Sequence, residues 1–219
     1  MRAGVITFPG SNCDRDVAVA LAAAGARVER LWHAETAMPR LDLIVLPGGF
    51  TYGDYLRCGA IAARAPVMAE VIRRAAAGVA VLGICNGFQI LAEAGLLPGA
   101  LISNAGLKFI CRPVELEVAT SASPFTAGYA PGQIVSLPIA HHEGCYVLAP
   151  DELERLADED RIAFRYLANP NGSVGAIAGV LGPGRNVLGL MPHPERAADP
   201  RLGGTDGAIL LRSLVEALG

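Results

Sequence analysis

The stretch Val81-Leu82-Gly83-Ile84-Cys85-Asn86-Gly87-Phe88-Gln89 carries the strongest fold signal in the chain. The apolar run Val79–Ile84 predicts a strand buried on both faces, which is typical of a parallel sheet covered by helices. The residues that follow, 86–94, predict a helix that ends at Gly95. Small residues on both sides of Cys85 permit the sharp strand-to-helix turn of a nucleophile elbow. The stretch therefore predicts an α/β protein with Cys85 raised above its sheet.

Strands and helices alternate in the first half of the chain. The predicted strands there are Ala3–Phe8, Arg27–Trp32 and Asp42–Leu46. The predicted helices are Asp14–Ala24 and Pro66–Ala77, and Pro66 suits the first turn of the second one. This alternation indicates an open, mostly parallel sheet flanked by helices.

The second half of the chain has a different pattern. Val114–Val118 alternates apolar and charged residues, as a half-exposed strand does. Asn171-Gly172 predicts a hairpin between strands at Ile162–Leu167 and Ser173–Leu181. An acidic helix, a core strand and a closing helix are predicted at Asp151–Asp160, Asn186–Met191 and Thr205–Leu218. We therefore expect a single domain, residues 1–219, with an antiparallel excursion in its second half.

The composition narrows the classes of function. Of the 219 residues, 52% are hydrophobic and 18% are charged, which excludes a disordered chain. The net charge of −3, with no basic block, argues against nucleic acid as a partner. No stretch is suited to a membrane span, and the first apolar run is too short for a signal peptide. The five cysteines lack CxxC spacing, so we expect reduced thiols and a cytoplasmic protein.

Three separate segments predict chemistry at one edge of the sheet. Cys85 would lie at a helix N-terminus, where the helix dipole favours the thiolate, although a buried structural cysteine is the alternative. His193 and Glu195 follow an apolar strand and offer a base and an orienting carboxylate. A zinc site built from Cys85, His193 and Glu195 is disfavoured because the spacing is not that of a metal site. Gly48-Gly49 ends another strand, and its N–H groups, with that of Asn86, suit an oxyanion.

These motifs resemble those of the class I, or triad, glutamine amidotransferases. Gly83-x-Cys85-x-Gly87-x-Gln89 is similar to the nucleophile motif of that family, and His193-Pro194-Glu195 to its His-x-Glu pair. Further segments resemble one member group, the glutaminase subunits of phosphoribosylformylglycinamidine synthase. They are Phe8–Asp14, Pro47–Arg57, Leu107–Arg112 and Met191–Arg196. The segment 140–144 departs from that group, which usually has Gly where His142 stands.

The resemblance implies a glutaminase that passes ammonia to a partner in de novo purine biosynthesis. Cys85, His193 and Glu195 would be its catalytic triad, and Gly48, Gly49 and Asn86 its oxyanion hole. Gln89 and His141 are the candidate substrate-binding residues, and no metal or other cofactor is expected in this chain. ATP and Mg²⁺ would be used by a large synthetase subunit, which a small third subunit usually accompanies.

Other functions remain open at this point. The triad alone does not separate purine synthesis from amidotransferases that serve carbamoyl phosphate, anthranilate or guanylate synthesis. A hydrolase or chaperone of the wider elbow-cysteine superfamily is a further alternative, but those proteins typically have His directly after the nucleophile. Asn86 stands there, and that alternative leaves His193 and Glu195 unexplained. Cys13, near the same sheet edge, lacks an elbow and is interpreted as structural.

Overall fold

A computed structural model describes all residues, 1–219, as a mixed sheet with five α-helices around it. The helices are α1 (Asp14–Ala23), α2 (Pro66–Ala76), α3 (Asn86–Glu93), α4 (Pro150–Asp158) and α5 (Asp206–Leu218). The first strands are β1 (Arg2–Thr7), β2 (Arg27–Trp32), β3 (Leu43–Leu46), β4 (Ala80–Ile84) and β5 (Ala100–Ile102). The others are β6 (Ile110–Val118), β7 (Ile134–His141), β8 (Cys145–Val147), β9 (Ile162–Tyr166), β10 (Ile177–Leu181) and β11 (Val187–Leu190).

Nine strands form one sheet in the order β2-β1-β3-β4-β11-β10-β9-β6-β7, and β5 pairs with β8 outside it. The strands from β2 to β11 run parallel, with Val81–Ile84 of β4 in register with Val187–Leu190 of β11. The remaining four pairings, from β11 to β7, are antiparallel. The α/β fold class and the antiparallel excursion are therefore confirmed.

The topology brings several strand ends to one edge of the sheet. Since β1, β3, β4 and β11 are parallel, the residues that follow them share that edge. Four antiparallel steps separate β11 from β7, so β7 runs in the same direction and also ends there. The edge thus gathers the segments after Thr7, Leu46, Ile84, Leu190 and His141.

The centre of the sheet is apolar because helices cover both of its faces. Every residue of β3, β4 and β11 is buried, and these strands belong to a continuous core of 56 buried residues. Burial on both faces explains why β4 is apolar throughout and does not alternate. None of the helices is long and apolar enough to cross a lipid bilayer.

The predicted hairpin at Asn171-Gly172 is wrong in its turn, although its two strands do pair. β9 ends at Tyr166 and β10 begins at Ile177, so the connection is a longer loop with a short 3-10 turn. Asn171 is buried, and its side chain accepts from the Ser173 N–H at 3.1 Å and donates to the Gly144 carbonyl at 2.8 Å. The dipeptide therefore anchors a distant loop instead of making a two-residue turn.

Candidate active site

Cys85 lies at the strand-to-helix turn that the sequence predicts. Its φ of 51° and ψ of −108° place it in a strained backbone conformation directly before α3. The flanking glycines make this turn possible. A Cβ on Gly87 would lie 1.9 Å from the Leu46 carbonyl oxygen, and one on Gly83 would lie 2.6 Å from the Gly87 carbonyl oxygen. The elbow is therefore packed too tightly for a side chain at either position.

His193 and Glu195 form a buried pair beside the elbow. A 3-10 turn, Pro194–Ala197, brings the two side chains together, and His193 Nδ1 donates to Glu195 Oε1 at 2.6 Å. The side chains of both residues are at most 1% exposed. His193 Nε2 has no hydrogen-bond partner and is the ring atom left for chemistry. The spacing of two residues thus produces the direct contact that the sequence alone did not establish.

The surroundings of His193 favour its protonated form. Burial by itself lowers the pKa of His193, but the negative charge of Glu195 opposes it, and the pKa lies well above its usual value. An imidazolium next to a thiol stabilises the thiolate, which is the nucleophilic form of cysteine. The site therefore holds His193 as an imidazolium beside the Cys85 sulfur.

Gly48 is the point where the predicted nucleophile and base meet. A Cβ on Gly48 would lie 2.8 Å from His193 Cε1, 3.2 Å from Cys13 Sγ and 3.5 Å from Cys85 Cβ. Only a residue without a side chain leaves this space for the three groups. The structure therefore brings the elbow, the histidine loop and the glycine loop into one site.

The Gly48-Gly49 loop is fixed by the segment after β1. A Cβ on Gly49 would lie 2.7 Å from the Gly10 carbonyl oxygen, and the Phe50 N–H donates to that same oxygen at 3.0 Å. The N–H of Gly49 makes no hydrogen bond within the chain. As the first residue of α3, Asn86 has an N–H with no acceptor one turn earlier. Two backbone donors therefore remain free near Cys85.

The side chains of Asn86 and Gln89 hold this arrangement together. Asn86 Oδ1 accepts from the Thr51 N–H at 3.2 Å, and its Nδ2 donates to Gln89 Oε1 at 2.7 Å. Gln89 Nε2 donates to the Glu143 carbonyl at 2.6 Å. Both polar atoms of Gln89 thus form hydrogen bonds within the chain, and these bonds connect the loops around the site.

A cavity of about 280 Å³ opens over Cys85. That volume lies just below the range of pockets for drug-sized ligands and suits one small polar molecule. Its lining residues are Gly49, Phe50, Asp54, Cys58, Cys85, Gln89, Ala140, His141, His142 and Glu143. Cys85 Sγ lies 3.8 Å from the Ala140 carbonyl oxygen, on one wall of the cavity.

His141 is a lining residue of this cavity, and its ring is buried. Asn104 Nδ2 donates to the carbonyls of Lys108 and His141, so its Oδ1 accepts from His141 Nδ1 at 3.0 Å. The hydrogen is therefore on Nδ1, and the buried Nε2, which has no partner, is an acceptor. Burial, together with the positive charge of His193, lowers the pKa of His141 to about 4. The ring is consequently neutral at physiological pH.

Cys13 lies at the sheet edge where the sequence places it, but sequence reasoning did not predict its contacts with the histidine loop. Its Sγ accepts from Arg196 Nη2 at 2.9 Å. Three residues each place an atom that could bind a metal within 4.8 Å of the others: Cys13, His193 and Glu195. In the zinc site considered from the sequence, Cys85 was the cysteine ligand, whereas in the structure Cys13 occupies that position. The Arg196 guanidinium against the sulfur opposes a cation there.

Comparisons with known proteins agree with this geometry. The model of the CobB/CobQ-like glutamine amidotransferase domain matches residues 1–202. The phosphoribosylformylglycinamidine synthase subunit PurQ of Cereibacter sphaeroides is 62% identical over 98% of this chain and 97% of its own. The protein of the same name from Roseobacter denitrificans is 58% identical over 100% and 99%.

Solved structures extend the comparison. A chain in the structure of PurLQS from Thermotoga maritima superposes with a TM-score of 0.93 at 44% identity, over 100% of this chain and 99% of that one. A second glutamine amidotransferase from Thermotoga maritima has a TM-score of 0.66 at 18% identity over 100% and 97%, and shows the fold alone. The chain belongs to the CobB/CobQ-like glutamine amidotransferase family.

Proposed function

We propose that this protein is the glutaminase subunit of phosphoribosylformylglycinamidine synthase and acts in de novo purine biosynthesis. It hydrolyses glutamine to glutamate and ammonia through a thioester on Cys85. The observation that carries the proposal is the meeting of Cys85 and His193 at Gly48, with Glu195 hydrogen-bonded to His193 at 2.6 Å. The high identity to the PurQ subunits supports the choice of this synthase over other amidotransferases.

The first half of the reaction forms the thioester. The Cys85 thiolate attacks the side-chain amide carbon of glutamine, and the carbonyl oxygen becomes an oxyanion. The free N–H groups of Gly49 and Asn86, with the Gly48 peptide, bind that oxyanion. His193 then protonates the amide nitrogen, the C–N bond breaks, and ammonia leaves the γ-glutamyl thioester behind.

The second half of the reaction regenerates the cysteine. His193, now neutral, takes a proton from water, and the resulting hydroxide attacks the thioester carbon. The C–S bond breaks, glutamate leaves, and the thiolate–imidazolium pair forms again. Glu195 stabilises the imidazolium at each stage and keeps Nε2 directed at the reacting atoms.

The ammonia is consumed by a second protein. A large synthetase subunit uses ATP and Mg²⁺ to convert formylglycinamide ribonucleotide into formylglycinamidine ribonucleotide, and a small third subunit completes the complex. The likeness to a chain of PurLQS supports a synthetase partner. In this proposal the glutaminase chain itself binds neither a cofactor nor a metal.

A reconstituted assay with two nitrogen sources tests this division of labour. Cys85→Ala should abolish amidine synthesis from glutamine, while synthesis from a high concentration of ammonium survives because ammonia enters the synthetase directly. The isolated chain should show weak glutaminase activity that rises on assembly, as in enzymes whose site is completed by closure. Loss of both activities in a complex that still assembles would contradict the proposal.

A further inference from the structure

Two carboxylates face the cavity without a cation. Asp54 and Glu143 line it, and no arginine or lysine does. Neither residue takes part in an ion pair anywhere in the chain. Burial raises the pKa of Asp54, and the charge of Glu143 raises it further. The cavity therefore holds two neighbouring carboxylates that no arginine or lysine side chain pairs with.

Both acidic residues are tied to the first turn of α3. Asn86 Nδ2 lies 3.4 Å from Asp54 Oδ1, and Gln89 Nε2 donates to the main-chain carbonyl of Glu143. Asp54 has a φ of 55°, a left-handed conformation that is costly for a residue with a side chain. The chain thus holds Asp54 in a strained conformation at the cavity that Cys85 also lines, as functional sites do.

An independent group points to the same kind of ligand. His141, only 3% exposed, lines the cavity, and its Nε2 is a buried acceptor without a partner. The two carboxylates and this nitrogen are all acceptors, whereas the amide of Gln89 is already engaged. A molecule that satisfies them must bring several N–H donors and a positive charge.

We propose that Asp54 and Glu143 bind the α-ammonium group of glutamine and select for an α-amino acid over an otherwise identical amide. The inference rests on the proposed function and adds specificity-determining residues to it. The α-carbon of glutamine lies three bonds from the amide carbon that Cys85 attacks, so one small cavity holds both ends. The α-carboxylate finds no cationic side chain there and faces away from the two acidic residues.

Substrate pairs separate recognition of the ammonium group from catalysis. The assembled complex is assayed with glutamine and with 4-carbamoylbutanoate, which has the same amide but no amino group. In Asp54→Asn and in Glu143→Gln, the KM for glutamine should rise about 10- to 100-fold, as expected for the loss of a charged hydrogen bond. For both variants, kcat/KM for 4-carbamoylbutanoate should stay at the parental value.

Controls guard against misfolding and nonspecific charge effects. Asp158→Asn makes the same charge change at the exposed end of α4 and should leave kcat and KM for both substrates unchanged. Glu143→Asp, which keeps the charge, should recover part of the glutamine affinity. Synthesis from ammonium should be unchanged in all variants, since it reports on assembly alone.

Several outcomes would overturn the inference. One is a variant whose kcat/KM falls by the same factor for glutamine and for 4-carbamoylbutanoate. Another is a variant whose kcat/KM is unchanged for both substrates. The parental complex offers a test that needs no variant, because the product glutamate should inhibit far better than glutarate. Equal inhibition by glutamate and glutarate would also refute the inference. So would a chelator of divalent metals that abolishes glutamine hydrolysis by the glutaminase chain. A parental complex that hydrolyses neither amide would instead contradict the proposed function.

Discussion

Replacing Glu195 by glutamine tests how much the site depends on a negative charge next to His193. The 2.6 Å contact can survive, because the amide oxygen still accepts from Nδ1. The charge does not survive, and burial then lowers the pKa of His193 without opposition from a carboxylate. By analogy with carboxylate-to-amide changes in serine triads, turnover could fall by up to about 10⁴-fold, or ~5.4 kcal/mol in the barrier.

The sign of the pH effect follows from the same contact. In the parental protein the raised pKa of His193 preserves the imidazolium as pH increases through neutrality, and activity declines only when pH passes that pKa. In Glu195→Gln the decline should begin at lower pH. Steady-state glutaminase assays of the complex across pH, with NMR titration of the imidazole, measure both effects. Glu154→Gln, on the exposed face of α4, is the matched control. Parental turnover with an unshifted His193 titration would refute the role of Glu195.

Two further predictions concern Cys85 and its neighbours. A glutamine-mimicking diazo-ketone should label Cys85 ahead of Cys13, since Cys85 lines the cavity and Cys13 does not. Peptide mapping that found Cys13 labelled first would contradict the assignment. Gly48→Ala should lower kcat at least about 10²-fold with the fold intact, because the new methyl group would lie 2.8 Å from His193 Cε1 and even small misplacements of reacting groups are costly. Gly106→Ala is the matched control and should keep parental activity, because a methyl group there meets nothing within 4 Å. Kinetics measures the activity of both variants, and circular dichroism checks that both are folded. Equal kcat values for the two variants would contradict this packing.

The elbow could be predicted from sequence because its constraints are local. The apolar run of β4, the glycines beside Cys85 and the helix that follows are contiguous, so periodicity and small residues suffice. The positions of His193 and Gly48 at the same edge followed from the rule for parallel strands. The strand β7 was not predicted, because Pro138 interrupts its pattern and is tolerated only where the strand lies at the sheet edge.

The remaining features depend on contacts between distant segments. Cys13 reaches the site only because the loop after β1 packs against Gly49. The turn expected at Asn171 failed because that side chain bonds to Gly144, far away in sequence. The tautomer of His141 is set by Asn104, which no local pattern links to it. Such tertiary hydrogen bonds leave no periodic signature in a single sequence.

Detection of the covalent intermediate tests the central claim most directly. The assembled complex is mixed with glutamine, quenched in acid within the first turnovers, digested and analysed by mass spectrometry. We expect a γ-glutamyl thioester on the peptide that contains Cys85, no adduct in Cys85→Ala, and a larger amount in Glu195→Gln if its hydrolysis is the slower step. Glutamine hydrolysis without any adduct on Cys85, or with the adduct on Cys13, would contradict the account.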